Sequence, residues 1–166
     1  MPLLSEYAQK KKIGYFIDPI PKEAKILEVG AGSCWLSDYL KKNGWKDSIS
    51  LDLQPPADII GSIFDWRMLA ITEASFDVIV AFEVVEHVHC FKEFYDILKP
   101  DGLLMLTSPL PHMDWICKIL EAIGLNQKRT SPHDHLIYFK DIPLFTPIDI
   151  RVVGFIAQWG IFKKVV

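Results

Sequence analysis

The sequence predicts an α/β fold, a doubly wound and mostly parallel sheet with helices on both faces. Three observations carry that expectation. An apolar run at residues 26–29 stops at Gly30, turns through Ala31 and Gly32, and gives way to Trp35, Leu36, Tyr39 and Leu40 at helical spacing. Strand-like and helix-like stretches then alternate up to residue 107, the rhythm that right-handed crossovers turn into a parallel sheet. The run 76–82 is largely apolar and β-branched, as in a strand covered on both faces.

The elements follow in order. Residues 1–24 form a leading helical segment, with Tyr7, Ile13, Tyr15 and Phe16 available for packing and Pro19 and Pro21 closing it. The helix after strand 26–29 ends at Asn43 and Gly44. Strand 48–53 alternates and presents Asp52 at its tip. Pro55 and Pro56 mark a loop, 58–61 is a short third strand, and 62–66 is a loop against which a ring would lie. Strand 76–82 runs into Glu83, Val84, Val85, Glu86 and His87. Phe91, Phe94, Tyr95 and Leu98 line an amphipathic helix, closed by a turn at Lys99, Pro100, Asp101 and Gly102, before the fifth strand at 103–107. Residues 109–145 break the rhythm. Trp115, Ile116, Ile119, Leu120 and Ile123 line one face of an inserted helix, read either as a lid over an acceptor site or as an extra core helix. Thr146 and Pro147 read as the cap and first turn of a last helix running toward Trp159, with 161–166 as a sixth and final strand.

At 166 residues, half of them apolar, the chain fits one domain, 1–166. No apolar run reaches the ~20 residues of a membrane-crossing helix, and the first residues lack the features of a signal peptide. Cys34, Cys90 and Cys117 have neither metal spacing nor an even count, so they read as reduced thiols of a cytoplasmic protein. A net charge of −3 gives no general attraction to nucleic acid or an anionic membrane. Lys10, Lys11 and Lys12 read as a solvated helix face.

The strand–glycine turn–helix unit places a ligand against open backbone at the carboxyl end of a parallel strand. A dinucleotide fold wants a small residue where the helix packs on the strand, and here that position is Trp35; Glu28 would also face a pyrophosphate with the wrong charge. A ligand with a cationic end, ammonium or sulfonium, suits Glu28 better. Asp52 lies about twenty residues past the turn, the distance at which a second strand offers a carboxylate to a ribose diol.

Glu28 with Gly30 and Gly32, Asp52, Asp77 with Glu83, Glu86 and His87, and the Lys99–Gly102 turn, in this order and spacing, strongly resemble class I S-adenosylmethionine-dependent methyltransferases. The resemblance covers residues 25–108. Within that superfamily the run from Glu83 to Val88 is most similar to the ubiquinone-biosynthesis O-methyltransferase type and the methyltransferase type 11 and 23 groups. The resemblance implies S-adenosyl-L-methionine as cofactor, S-adenosyl-L-homocysteine as product, and 25–108 as the cofactor-binding core. It implies that Glu28 and the backbone of Gly30, Ala31 and Gly32 hold the methionine portion, and that Asp52 holds the ribose with Leu53 against the adenine. Ser62 and Ile63 would border the adenine edge, and the backbone of Ala81 to Glu83 the methionyl end. Two departures stand out. Relatives usually carry an acid where Ser62 stands. The family sheet, ordered 3-2-1-4-5-7-6, closes with an antiparallel seventh strand for which this reading leaves no residues.

Methyl transfer from a sulfonium is an in-line displacement in which the protein chiefly supplies proximity and alignment. A hydroxyl acceptor also needs a base. His87, just past the fourth strand, is the first candidate, with Glu86 beside it; the alternative for His87 is a backbone-bonded cap. If the segment were helical, Glu83, Glu86 and His87 would share a face, and with His135 they are the candidate ligands for a divalent metal. Small-RNA 3′-terminal 2′-O-methyltransferases carry a similar run, but so do relatives that need no metal, and none is assigned. The function expected is O-methylation of a small molecule, with a metal-assisted RNA 2′-O-methyltransferase and a non-catalytic cofactor-binding module as alternatives. No motif specifies the acceptor or the oligomeric state.

Overall fold

The computed structural model describes residues 3–113, 115 and 135–165. Seven strands form one sheet: β1 (Ile26–Val29), β2 (Ser48–Asp52), β3 (Ile59–Ile60), β4 (Phe76–Phe82), β5 (Leu98–Pro109), β6 (Phe145–Val153) and β7 (Ala157–Lys164), in the order β3-β2-β1-β4-β5-β7-β6. β1 to β5 run parallel, and β7 is antiparallel to both of its neighbours. Among the described residues, the α-helical elements are α1 (Leu3–Lys12), α2 (Trp35–Lys42) and α3 (Phe91–Ile97).

The apolar runs explain the two layers. Successive side chains of a strand point to opposite faces. Leu27, Ile79 and Leu104 therefore join the core under α3, with Phe91, Phe94 and Ile97. Ile26, Val78 and Met105 join the other core, with Leu36 and Leu40 of α2 and Trp45. The leading segment belongs to this second layer. α1 continues into a π-helical turn, Ile13–Ile17, whose Phe16 and Ile17 are fully buried. The predicted turn at residues 99–102 is a bulge within β5. Pairing steps from Phe76–Leu98 to Val78–Leu103, and the Asp77 carboxylate accepts from Lys99 Nζ (2.7 Å) and the Lys25 N–H (2.8 Å).

Two expectations are overturned at the far end of the chain. Residues 146–159 do not form a helix, and the seventh strand is present. β6 and β7 are an antiparallel hairpin, and β7 lies between β5 and β6, which completes the sheet order. The residues expected to form a closing sixth strand belong to β7. Ile148, Ile150 and Val152 alternate with Asp149 and Arg151, a period of two in β-branched residues that suits a strand. Pro147 sits on the sheet edge, where a missing N–H breaks no ladder on the outer side. The chain reverses at Gly154 and Phe155, both at positive φ (59° and 64°), the geometry of a primed hairpin turn. Residue 114 and residues 116–134 lie outside the described residues. The inserted helix expected through Ile116 to Ile123, and His133, therefore fall there.

Gln158 of β7 stitches the return segment to the sheet. Its side chain is 2% exposed. Its amide accepts from the Phe139 N–H (3.0 Å) and donates to the carbonyls of Ile137 (2.6 Å) and Pro109 (3.3 Å). Gln158→Leu leaves those three backbone groups without their partner in the interior, a loss of about 2–4 kcal/mol of stability. Urea unfolding followed by circular dichroism checks this; an unchanged midpoint contradicts it.

Candidate active site

The sheet order changes direction between β1 and β4, so the connections after these strands leave toward opposite sides and open a crevice at their carboxyl ends. Gly30 ends β1 at φ 74°, its N–H donating to the Leu51 carbonyl (2.9 Å). A Cβ there would stand 2.4 Å from Val84 Cγ2, so glycine alone lets β1 meet the turn after β4. Gly32, at φ 52°, is different: a Cβ would meet nothing within 4 Å, and its face is open.

Asp52, at the tip of β2, faces that opening. Its Oδ2 accepts from the Gly32 N–H (2.8 Å) and its Oδ1 from the Gln54 N–H (3.1 Å). Each carboxylate oxygen has two acceptor positions, so one remains on each. Leu53 beside it is 71% exposed. Ser62 caps a short 3-10 turn, Ile63–Asp65, its Oγ accepting from the Phe64 N–H (3.3 Å); Ile63 is buried. Ala31 and Ala81 are buried as well.

Glu28 lies within β1, beneath the glycine turn, with its carboxylate accepting from Ser37 Oγ of α2. Burial pushes its pKa up to about 7, against the lowering effect of the Ser37 hydroxyl.

Residues 83–88 form a turn, with the N–H groups of His87 (2.9 Å) and Val88 (3.3 Å) both donating to the Val84 carbonyl. The single-helix face expected for Glu83, Glu86 and His87 does not arise. Glu83 adopts φ 58°, and its Oε1 accepts from Lys12 Nζ (3.0 Å) and Thr107 Oγ1 (2.7 Å). Lys12 also donates to Thr107 Oγ1 (3.1 Å) and lies over the Phe82 ring. Burial opposes ionisation of Glu83, yet the Lys12 ammonium and the Thr107 hydroxyl hold its carboxyl below the usual range. Glu86 points inward and is 1% exposed, bonded to Glu83 and Ser108, with its Oε2 lacking a partner. Burial, and the negative charge of Glu83, push its pKa up to about 9, so at neutral pH it is an uncharged acid. His135 comes to the same turn, its N–H donating to the Glu86 carbonyl (3.0 Å) and its ring packing against His89 (4.7 Å between centroids). His87 is half-buried in the turn itself. Among the described residues, no three His, Cys, Asp or Glu side chains are grouped as a metal ion would require.

Lys12 corrects the reading of the lysine run as solvated, since its side chain is only 13% exposed. Together with Thr107 it is what sequence reasoning missed. No local pattern separates Lys12 from Lys10 and Lys11 before α1 is packed on the sheet.

The raised carboxyl pKa values fix a sign for stability. Folding lifts Glu28 from 4.5 to about 7 and Glu86 from 4.5 to about 9, so the folded state binds more protons than the unfolded one across those windows. Stability then falls as pH rises through them. Glu28→Gln should flatten the decline below about pH 7 only, and Glu86→Gln should also remove the part from there up to about pH 9. Chemical unfolding at a series of pH values checks this; slopes unchanged from the wild type contradict it.

The geometry agrees with what the chain is similar to. The sequence model of a family described as "Methyltransferase domain" matches residues 5–146. Among solved structures, a protein from Pyrococcus horikoshii OT3 superposes with a TM-score of 0.65 at 15% identity, over 96% of this chain and 89% of that one. A SAM dependent methyltransferase from Aquifex aeolicus gives 0.61 at 12% identity, over 96% and 89%. A geranyl diphosphate C-methyltransferase from Streptomyces coelicolor A3(2), in complex with Mg2+, geranyl diphosphate and S-adenosyl-L-homocysteine, gives 0.65 at 12% identity, over 97% and 79%. At these identities the likeness is one of fold. No curated protein matches the chain. Among the described residues, no helix is long and apolar enough to cross a membrane. The family match spans most of the chain and the sheet has seven strands in the order 3-2-1-4-5-7-6, so the chain belongs to the methyltransferase-domain family, as a class I S-adenosylmethionine-dependent methyltransferase.

Proposed function

We propose that this chain transfers the methyl group of S-adenosyl-L-methionine to a hydroxyl oxygen of a small-molecule acceptor. The observation that carries the cofactor assignment is the Asp52 carboxylate. It is held against the Gly32 N–H at 2.8 Å with one acceptor position left on each oxygen, the arrangement a ribose diol needs. The surroundings fit the rest of the molecule. Leu53 offers an exposed apolar surface for the adenine, and the face of Gly32 is open where backbone must approach a ligand. Ser62 and Ile63 border the adenine edge; the Ser62 oxygen accepts one backbone bond, leaving one acceptor position and its proton for a ligand.

When bound, the cofactor supplies an electrophilic methyl group on a sulfonium. The protein residues do the remaining work. Glu28, with its pKa near 7, ionises when a cation approaches the turn above it, and so provides negative charge where the sulfonium end lies. On this reading His87, half-buried in the turn after β4, is the general base, and an imidazole nitrogen would take the proton of the acceptor hydroxyl. Glu86, neutral and buried, supports that turn from below and does not meet the acceptor. The seventh strand, for which the sequence reading left no residues, is in place.

Titration calorimetry with S-adenosyl-L-methionine, NAD and an Asp52→Ala variant tests the assignment. The expected result is binding of S-adenosyl-L-methionine alone, weakened about tenfold or more in the variant, since hydrogen bonds to a charged group contribute ~1.5–3 kcal/mol. No binding, or equal binding by the variant, contradicts it. His87→Ala should leave that affinity intact and lower kcat on a hydroxyl acceptor by roughly 10²–10⁴-fold. An unchanged kcat removes the base and leaves the cofactor site standing.

A further inference from the structure

We propose that β6 joins two copies of this chain edge to edge, antiparallel and centred on Ile150, so that two seven-stranded sheets become one. This edge is separated from the β1–β4 crevice by β5 and β7, and its role does not depend on the cofactor assignment.

Within the sheet, β6 has a neighbour on one side only. The Val153 carbonyl accepts from the Ile156 N–H across the turn (3.3 Å). By strand alternation, Val152 and Ile150 therefore turn their N–H and C=O groups away from β7. Edges that stay unpaired are commonly blunted by lysines, by shortness or by cover. The opposite edge is short, since β3 has two residues. β6 spans nine, Phe145–Val153, without a lysine. Ile148 (57%), Ile150 (36%) and Val152 (60%) are exposed along it. Pro147, with the irregular pairing between it and Asp149, blunts only the start of the strand.

The charges point to a second copy as the occupant. Asp149 and Arg151 lie opposite Ile161 and Trp159 of β7, on the sheet face where Tyr15 packs. They flank Ile150, one acid and one base. Antiparallel pairing about a two-fold axis at Ile150 sets Asp149 of each copy opposite Arg151 of the other. Ile148 then meets Val152, one β-branched side chain against another. Pro147 meets Val153, whose carbonyl is turned to the hairpin, so the missing N–H costs no bond. In-register parallel pairing would instead set acid against acid and base against base. Both charged groups already stand together at the edge: Asp149 Oδ2 accepts from Tyr15 Oη (2.8 Å) and Arg151 Nε (2.8 Å). Because that bond uses Nε, the Nη donors of the guanidinium are left for the carboxylate of the other copy. β5 and β6 are both antiparallel to β7 and so run the same way. The two crevices therefore open at opposite ends of the joined sheet.

Sedimentation equilibrium of the full chain, at concentrations up to ~100 μM, tests this with four variants. The wild type should approach twice the chain mass. Asp149→Arg and Arg151→Asp should each raise the dimer dissociation constant about tenfold or more, because symmetry turns two attractive pairs into two repulsive ones. The double variant Asp149→Arg/Arg151→Asp exchanges the charges and should return to within about threefold of the wild type. Ile150→Lys, which brings two ammonium groups together on the axis, should be monomeric. Circular dichroism checks that each variant is folded. Should the charge variants fail to fold, Ile150→Lys decides, since its side chain lies on the face away from Tyr15. A wild type that stays monomeric overturns the inference. So does a dimer that survives Ile150→Lys, or folded single and double charge variants that behave alike.

Discussion

The architecture depends on how closely β1 can approach the turn that follows β4. The two strands lie side by side, and their connections must diverge to opposite faces of the sheet. The approach is tight enough that a single methyl group at position 30 would collide with Val84. Because no side chain stands there, the glycine turn and the turn 83–88 share one floor. Asp52 reaches that floor from one side, Lys12 and Thr107 from the other. A larger residue at position 30 would separate these halves before it disturbed either of them.

Four carboxyl groups surround this floor, and their environments give them different states. Asp52 is at the surface and held by backbone N–H groups. Glu28 is buried with one hydroxyl for company, and burial pushes its pKa up to about 7. Glu83 is kept ionised by an ammonium brought from a distant helix. Glu86, buried beside that charge, stays protonated. Depth in the sheet and nearness of a cation thus set similar side chains in different electrostatic environments.

Much of this was legible in the sequence because it is written locally. The apolar run before Gly30, the acid about twenty residues on, and the β-branched run of β4 each constrain a short stretch of backbone, and all three lie where they were expected. The β6–β7 hairpin was not read, because Thr146 and Pro147 make a good helix start and outweighed the two-residue alternation of Ile148, Ile150 and Val152. The reversal at Gly154 and Phe155 was the missed signal. The Lys12–Glu83 contact had no local signal at all. It joins side chains 71 residues apart and exists only once α1 has settled against the sheet. The inward turn of Glu86 is similar, since the sequence spacing with Glu83 and His87 is the same for a helix and for the turn that forms.

The most direct test of this account is a crystal structure of the chain with S-adenosyl-L-homocysteine. The account predicts the ribose hydroxyls about 3 Å from the two oxygens of Asp52, the adenine against Leu53 and the thioether above the Gly30–Gly32 turn. A ligand bound elsewhere, or in this crevice with its ribose turned away from Asp52, would contradict it.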